Sequence, residues 1–134
     1  MTQPLRILLI EDNQGDVGLL KEYIEMTGIK AELVTIEDGQ EAMDFFKRNK
    51  ERPDLVLLDL NLPQRTGHEV LEVIRKGDPE AKVVIYSGSK APRDLERAKE
   101  NKANAYLIKP MNEKEMKSFV NDLREILRAA QEES

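Results

Sequence analysis

The feature that most constrains the fold is a series of short runs in which apolar residues follow one another almost without interruption. Four runs are strong and one, AELVTI, is weaker. In chain order they are LRILLI (5–10), AELVTI (31–36), DLVLL (54–58), KVVIY (82–86) and AYLI (105–108). Continuous apolar runs of this length are typical of strands that are covered on both faces, so they predict a buried parallel sheet.

Between these runs lie amphipathic segments that carry apolar residues on one helical face. The last segment has the clearest helical spacing, in Met116, Phe119, Val120, Leu123 and Leu127. Strand and helix thus alternate five times along the chain. This alternation predicts an α/β fold, in which helices cover both faces of a doubly wound parallel sheet through right-handed crossovers.

The chain length predicts one domain over residues 1–134, with its core at about 5–127. The polar tail, residues 128–134, is expected to fray. One predicted helix, over residues 92–102, offers only Leu95 and Ala98 to a core, and we expect it to be loosely held. Pro92 suits the first turn of that helix. We identify no linker and no following output domain.

Composition narrows the possible functions. The net charge of −5 argues against nucleic-acid binding, which requires a basic face. The absence of cysteine excludes disulfides, thiol catalysis and cysteine-ligated zinc. The lone histidine, His68, cannot form a multi-histidine metal site, and we expect it to be exposed and without a role at the start of the third helix. With no secretory signal and no membrane-spanning apolar run, a cytoplasmic location is expected.

Polar residues follow most of the predicted strands. Glu11 and Asp12 follow the first, Asp59 the third, Ser87 the fourth and Lys109 the fifth. Because parallel strands all point the same way, their carboxyl ends share one edge of the sheet, which is where ligands bind in such folds. The sequence therefore predicts that three carboxylates, a hydroxyl and an ammonium group converge there.

The chemistry of this set favours phosphate. Carboxylates in a partly desolvated cleft repel one another, and Lys109 or a hard divalent cation such as Mg²⁺ would offset that repulsion. An aspartate can act as a covalent nucleophile for phosphate. Because such transfer depends mainly on positioning and charge neutralisation, we interpret Asp59 as a Mg²⁺-assisted phosphoryl acceptor.

Four segments resemble, in order and spacing, the signature blocks of response-regulator receiver domains of two-component signalling. They are LLIEDN (8–13), LVLLDLNLPQRTGHEVL (55–71), VVIYSGS (83–89) and AYLIKP (105–110). The resemblance covers about residues 5–127 and is strongest to stand-alone members, such as the chemotaxis regulator and the phytochrome-partner regulators. It implies a flavodoxin-like sheet with strand order 2-1-3-4-5 and five helices.

The resemblance also implies roles for individual residues. Asp59 matches the phosphoacceptor, Glu11 and Asp12 the acidic metal pair, Asn61 the residue whose carbonyl completes the Mg²⁺ site, Ser87 the switch hydroxyl, Tyr106 the switch aromatic and Lys109 the invariant lysine. The Lys109–Pro110 peptide is usually cis in this family. Glu11 stands where many members have Asp, and Ser87 where Thr is frequent, and neither change argues against phosphorylation.

The function implied is a switch that is phosphorylated by a sensor histidine kinase and loses its phosphate slowly, without multiple-turnover catalysis. We expect the surface made by the predicted 92–102 helix, the Tyr106 strand and the last helix to change most. That surface would bind an unknown protein target or form a homodimer; alternatively, the protein passes phosphate on to another histidine. Two other functions remain open: an aspartyl phosphatase or dehalogenase, which Asn61 disfavours, and a binding module that is not phosphorylated.

Overall fold

The computed structural model describes residues 3–48 and 52–133, and the elements below lie within those ranges. The strands are β1 (Leu5–Ile10), β2 (Ala31–Ile36), β3 (Leu55–Leu58), β4 (Val83–Ser87) and β5 (Ala105–Ile108). The helices are α1 (Gln14–Met26), α2 (Gly39–Arg48), α3 (Gly67–Gly77), α4 (Pro92–Glu100) and α5 (Glu113–Glu133). Each strand overlaps one of the apolar runs, which confirms the predicted alternation of strand and helix.

All strands are parallel, and their order in the sheet is β2-β1-β3-β4-β5, which confirms the predicted flavodoxin-like topology. The register decides which residues meet at the carboxyl edge. Ile10 at the end of β1 lies opposite Ile36 of β2 and Leu58 of β3. The backbone N–H of Asp59 then donates to the carbonyl of Ile10 over 3.0 Å. Strands β1 and β3 therefore end level with each other.

The central strands are buried on both faces, as their unbroken apolar runs predict. Leu9 and Leu57 point into one core, which α1 and α5 cover, whereas Leu8 and Leu58 point into the other, beneath α2, α3 and α4. Each fully buried aliphatic side chain of this kind contributes roughly 1.5–3 kcal/mol. The two cores hold the sheet rigid and leave its carboxyl edge free for polar residues.

Helix α5 extends further than the sequence indicated. It continues to Glu133, so the segment that was expected to fray is helical in the described residues. The physical reason is that Ala130 extends the apolar row of Leu123 and Leu127 by another turn and is itself buried. Although α5 has 21 residues, no helix in the described ranges is long and apolar enough to cross a membrane.

Helix α4 has little apolar anchorage. Ala98 is its one buried residue, and Leu95 is 37% exposed. Pro92 occupies the first turn as expected, and Ala91 before it provides no side-chain cap. The helix ends at Glu100, earlier than the predicted residue 102, and Lys102 takes a positive φ of 62° that is incompatible with a continuing helix.

The described residues contain no cis peptide bond. The Lys109–Pro110 bond is therefore trans, contrary to what the resemblance implied. The trans form is the intrinsically favoured isomer of such bonds by roughly 0.5–1 kcal/mol.

Gly67, the first residue of α3, lies against the end of β3. Its N–H donates to the carbonyl of Leu60 over 2.9 Å. A Cβ atom at this position would lie 2.2 Å from the carbonyl oxygen of Asp59 and 2.7 Å from the Cα atom of Leu60. Because both neighbours are backbone atoms, only glycine allows the helix to begin this close to Asp59.

We predict opposite effects from two Gly→Ala substitutions. Gly67→Ala should lower the free energy of unfolding by about 1–3 kcal/mol, because backbone must move to admit the methyl group. Gly18→Ala, in the middle of α1 with nothing within 4 Å of the new methyl group, should raise it by up to about 1 kcal/mol through helix propensity. Urea unfolding followed by circular dichroism measures both, and a Gly67→Ala protein as stable as the wild type would contradict the packing argument.

Candidate functional site

The level ends of β1 and β3 bring three acidic residues together. One carboxylate oxygen each from Glu11, Asp12 and Asp59 lies within 4.8 Å of the other two. Glu11 is 0% exposed and Asp59 is 3% exposed, whereas Asp12 is exposed to solvent. The cluster therefore has a buried floor and one side that is open to an incoming ligand.

Lys109, directly after β5, is the cation of the cluster. Its Nζ lies 2.7 Å from Glu11 Oε1, 2.8 Å from Asp16 Oδ2 and 3.5 Å from Asp59 Oδ2. The ammonium group also lies 5.1 Å from the centroid of the buried Tyr86 ring, close enough for a cation–π contact. The predicted meeting of Lys109 with Asp59 and Glu11 is thus present in the structure.

The charges in this cluster perturb one another. Burial, together with the neighbouring Asp59 carboxylate, raises the pKa of Glu11 to about 7, even though the Lys109 ammonium acts in the opposite direction. Burial tends to lower the pKa of Lys109, but hydrogen bonds to Asp16 and Glu11 and the charge of Asp59 outweigh it and raise that pKa. Lys109 is therefore firmly protonated, and the negative charge of the cluster is only partly compensated.

The donor set fits a hard divalent cation. The clustered ligand atoms are all carboxylate oxygens, which Mg²⁺ and Mn²⁺ prefer. A cation beside Glu11 would offset the cost of ionising this buried group, which its raised pKa reflects. Asn61 lies next to the cluster, because its backbone N–H points to Asp59 Oδ1 over 3.4 Å. The residues present therefore suit the metal site that the sequence predicted.

Asp16 is a member of the cluster that the sequence analysis missed. It lies in the first turn of α1, where its backbone N–H donates to Oδ1 of the N-cap residue Asn13 over 3.0 Å. An acid at this position is commonly explained by the helix dipole alone. Its position one helical turn after Asp12, on a helix that begins beside the cluster, is the signal that could have identified it.

The two predicted switch residues both contact Ser89, in the loop between β4 and α4. Ser87 is fully buried, and its Oγ accepts a hydrogen bond from the N–H of Ser89 over 3.2 Å. The Tyr106 hydroxyl donates to the carbonyl of Ser89 over 2.9 Å. The N–H of Lys109 donates to the carbonyl of Ser87 over 2.9 Å. The loop is thus bonded to Ser87 at the end of β4 and to Tyr106 on β5.

His68 differs from its prediction, because it is only 5% exposed and takes part in a polar network. Its Nε2 lies 3.1 Å from Asp94 Oδ1, and Asp94 Oδ2 accepts a hydrogen bond from Ser89 Oγ over 2.5 Å. Hydrogen bonds from Ser89 and His68 lower the pKa of Asp94. His68 Nδ1 has no hydrogen-bond partner among the described residues. The His68 side chain therefore links α3 to α4.

Comparison with known proteins finds matches that cover most of the chain. The family model for the response regulator receiver domain matches residues 7–121. The chain is 35% identical over 128 residues to the probable methanogenesis regulatory protein FilR2 of Methanothrix harundinacea, a match that covers 91% of this chain and 83% of the relative. It is 37% identical over 128 residues to the response regulator Rcp1 of Synechocystis sp., with 90% of this chain and 86% of the relative covered.

Solved structures of two response regulators have the same architecture. The Mn²⁺-bound form of Rcp1 matches with a TM-score of 0.81 at 34% identity, covering 92% of this chain and 94% of Rcp1. The phosphorylated cyanobacterial phytochrome response regulator RcpA matches with a TM-score of 0.79 at 33% identity, covering 92% of this chain and 91% of RcpA. The chain therefore belongs to the response regulator receiver domain family of two-component signalling.

Proposed function

We propose that the protein is a phosphorylation switch in which Asp59 accepts a phosphoryl group from a phosphohistidine of a sensor histidine kinase. The observation that carries this proposal is the cluster of carboxylate oxygens within 4.8 Å of one another, with the Lys109 ammonium beside them. Glu11, Asp12, Asp59 and the carbonyl of Asn61 are the proposed Mg²⁺ ligands. The Mn²⁺ ion and the phosphorylation named for the relatives Rcp1 and RcpA support this choice.

In the proposed step, a carboxylate oxygen of Asp59 attacks phosphorus. An O–P bond forms as the P–N bond to the donor imidazole breaks, and the leaving nitrogen keeps the electron pair and takes a proton from solvent. When bound, Mg²⁺ supplies charge neutralisation for the phosphoryl oxygens. Lys109 donates a hydrogen bond to a second phosphoryl oxygen. Asp59 needs no general base, because a carboxylate is already an anion.

Ser87 is the proposed link between the phosphoryl group and the surface. Its Oγ accepts a hydrogen bond from the Ser89 N–H, which leaves the hydroxyl proton available for a phosphoryl oxygen. In the proposed switch, Ser87 turns toward that oxygen, and the loop between β4 and α4, bonded to Ser87 through Ser89, moves with it. Tyr106 is bonded to the carbonyl of Ser89 and would follow that movement. Because α4 has little apolar anchorage, a small shift of the loop can displace it.

The proposed output is protein binding by the surface of α4, β5 and α5, either to a target protein or to a second copy of the chain. We propose no DNA contact, membrane contact or multiple-turnover activity for this cytoplasmic switch. Slow loss of phosphate would be tuned by Asn61 and Ser89, which lie next to Asp59 and Ser87 respectively.

Incubation with Mg²⁺ and acetyl phosphate should add a single phosphate to the wild-type protein. Asp59→Asn should abolish the adduct, because the nucleophile is lost, whereas Asp122→Asn, which changes an exposed acid of α5, should leave it intact. Intact mass spectrometry measures both. An adduct that survives in Asp59→Asn, or that forms equally well in EDTA, would contradict the proposal.

Ser87→Ala should separate phosphorylation from switching. Beryllofluoride, a phosphoryl mimic, should shift the amide resonances of α4 and Tyr106 in the wild type, and these shifts should largely disappear in Ser87→Ala, because the linking hydroxyl is absent. Ser118→Ala, which removes an exposed hydroxyl from α5, is the matched control. Two-dimensional NMR measures the shifts, and full shifts in Ser87→Ala would reject its role.

Asp94→Ala should destabilise the resting protein by about 1–3 kcal/mol, because it removes the carboxylate that contacts Nε2 of the buried His68. Glu96→Ala, on the exposed side of the same helix, should have little effect. Since the pKa of Asp94 is lowered in the fold, its contribution is present above the ordinary aspartate pKa of about 4 and lost as the pH falls further. Urea unfolding should therefore show that Asp94→Ala lowers the free energy of unfolding less in acid than at neutral pH. A larger loss in acid would argue against this ionised contact.

A further inference from the structure

Lys109 contacts three carboxylates at unequal distances. Its ammonium group carries three protons. Two short contacts, to Glu11 at 2.7 Å and to Asp16 at 2.8 Å, have normal hydrogen-bond lengths. The contact to Asp59 is 3.5 Å, at the outer limit for a hydrogen bond. The amine is therefore held mainly by residues other than the proposed phosphoacceptor.

We propose that Asp16 is a positioning residue that holds Lys109 in a resting place, and that phosphorylation of Asp59 transfers Lys109 from Asp16 to a phosphoryl oxygen. This inference rests on the function proposed above and goes beyond it, because it assigns to Asp16 control over how readily the phosphorylated state forms. Asp16 acts through Lys109 and has no contact with the reacting atoms in this proposal.

Asp16 is well placed to hold the lysine. Its position is fixed by the Asn13 cap at the start of α1, and its side chain is 30% exposed, so water competes only in part for its oxygens. The lysine side chain is 18% exposed and reaches Asp16 across the mouth of the cluster. The contact joins α1 to the end of β5, two elements that are far apart in sequence.

An exchange of partners has an energetic consequence. The Lys109 ammonium lies 3.5 Å from Asp59, so in this proposal it moves toward a phosphoryl oxygen there and its charge-assisted hydrogen bond to Asp16 lengthens. The bond to Asp16 therefore opposes the phosphorylated state. Removing the charge of Asp16 should therefore favour the phosphorylated state. The effect should be modest, because a partly exposed ion pair contributes only about 0.2–1 kcal/mol.

The experiment compares Asp16→Asn with Glu37→Gln. Glu37 follows β2 at the same edge of the sheet, is exposed, and accepts a hydrogen bond from Gln14 over 2.6 Å. Glutamine keeps that acceptor oxygen but removes one negative charge, as the test variant does. In the presence of Mg²⁺, Asp16→Asn should bind beryllofluoride about twofold to fivefold more tightly than the wild type, and Glu37→Gln should change the affinity much less.

Two further measurements test whether Asp16 positions Lys109. The ε-methylene NMR resonance of Lys109 should move in Asp16→Asn before any beryllofluoride is added, and Asp16→Glu, which keeps the carboxylate, should restore the wild-type affinity to within about twofold. Asp16→Ser, which also removes the charge, replaces Asp16→Asn if that variant folds poorly. Circular dichroism verifies the fold of each variant.

The possible outcomes distinguish a failure of the role proposed for Asp16 from a failure of the proposed phosphorylation of Asp59. If the wild type binds neither phosphate nor beryllofluoride, the proposed function fails. If the wild type binds both but Asp16→Asn shows no gain, or if Glu37→Gln shows an equal gain, then Asp16 does not act through Lys109 and the inference is overturned. A gain confined to the variants at Asp16 that lack the carboxylate supports it.

Discussion

The site depends on one backbone relation, the level ending of β1 and β3. The hydrogen bond from Asp59 N–H to the Ile10 carbonyl fixes it, and the side chains of Glu11 and Asp59 then emerge side by side at a desolvated edge. Lys109 partly offsets the repulsion between these two side chains, and a divalent cation would offset it further. The negative charge that remains attracts a cation to the site and strengthens its interaction with nearby positive groups.

Much of this arrangement could be predicted from the sequence, because strands that are buried on both faces have an unmistakable apolar pattern and parallel strands gather their ends at one edge. That reasoning located Glu11, Asp12, Asp59, Ser87 and Lys109 without knowledge of side-chain positions. It could not locate Asp16 or His68. Their roles depend on the rotation of a helix about its axis and on the packing of α3 against α4, and neither follows from a strand pattern. The helical continuation of α5 past Leu127 was not evident from the sequence, because the one buried residue there, Ala130, carries little hydrophobic signal.

Helix α4 illustrates how polar contacts can replace apolar burial. Ala98 is its one buried residue, and Asp94 adds polar contacts to Ser89 and His68. Hydrogen bonds of this kind are directional and can be exchanged one for another at modest cost, whereas a packed apolar contact cannot. A helix that is held in this way suits two alternative positions, and this fits the switching role proposed for the surface to which α4 belongs.

The glycine contact at the start of α3 has a mechanical consequence. On that side of Asp59, backbone lies directly against backbone with no side chain between them, so α3 and the end of β3 must move as one body. On the other side, the loop from Ser87 to Ala91 is joined by hydrogen bonds that can be remade. A change at Asp59 is thus resisted on the side of α3, whereas the loop before α4 can adjust to it. In the proposed switch, this asymmetry would direct the effect of phosphorylation toward α4 and β5.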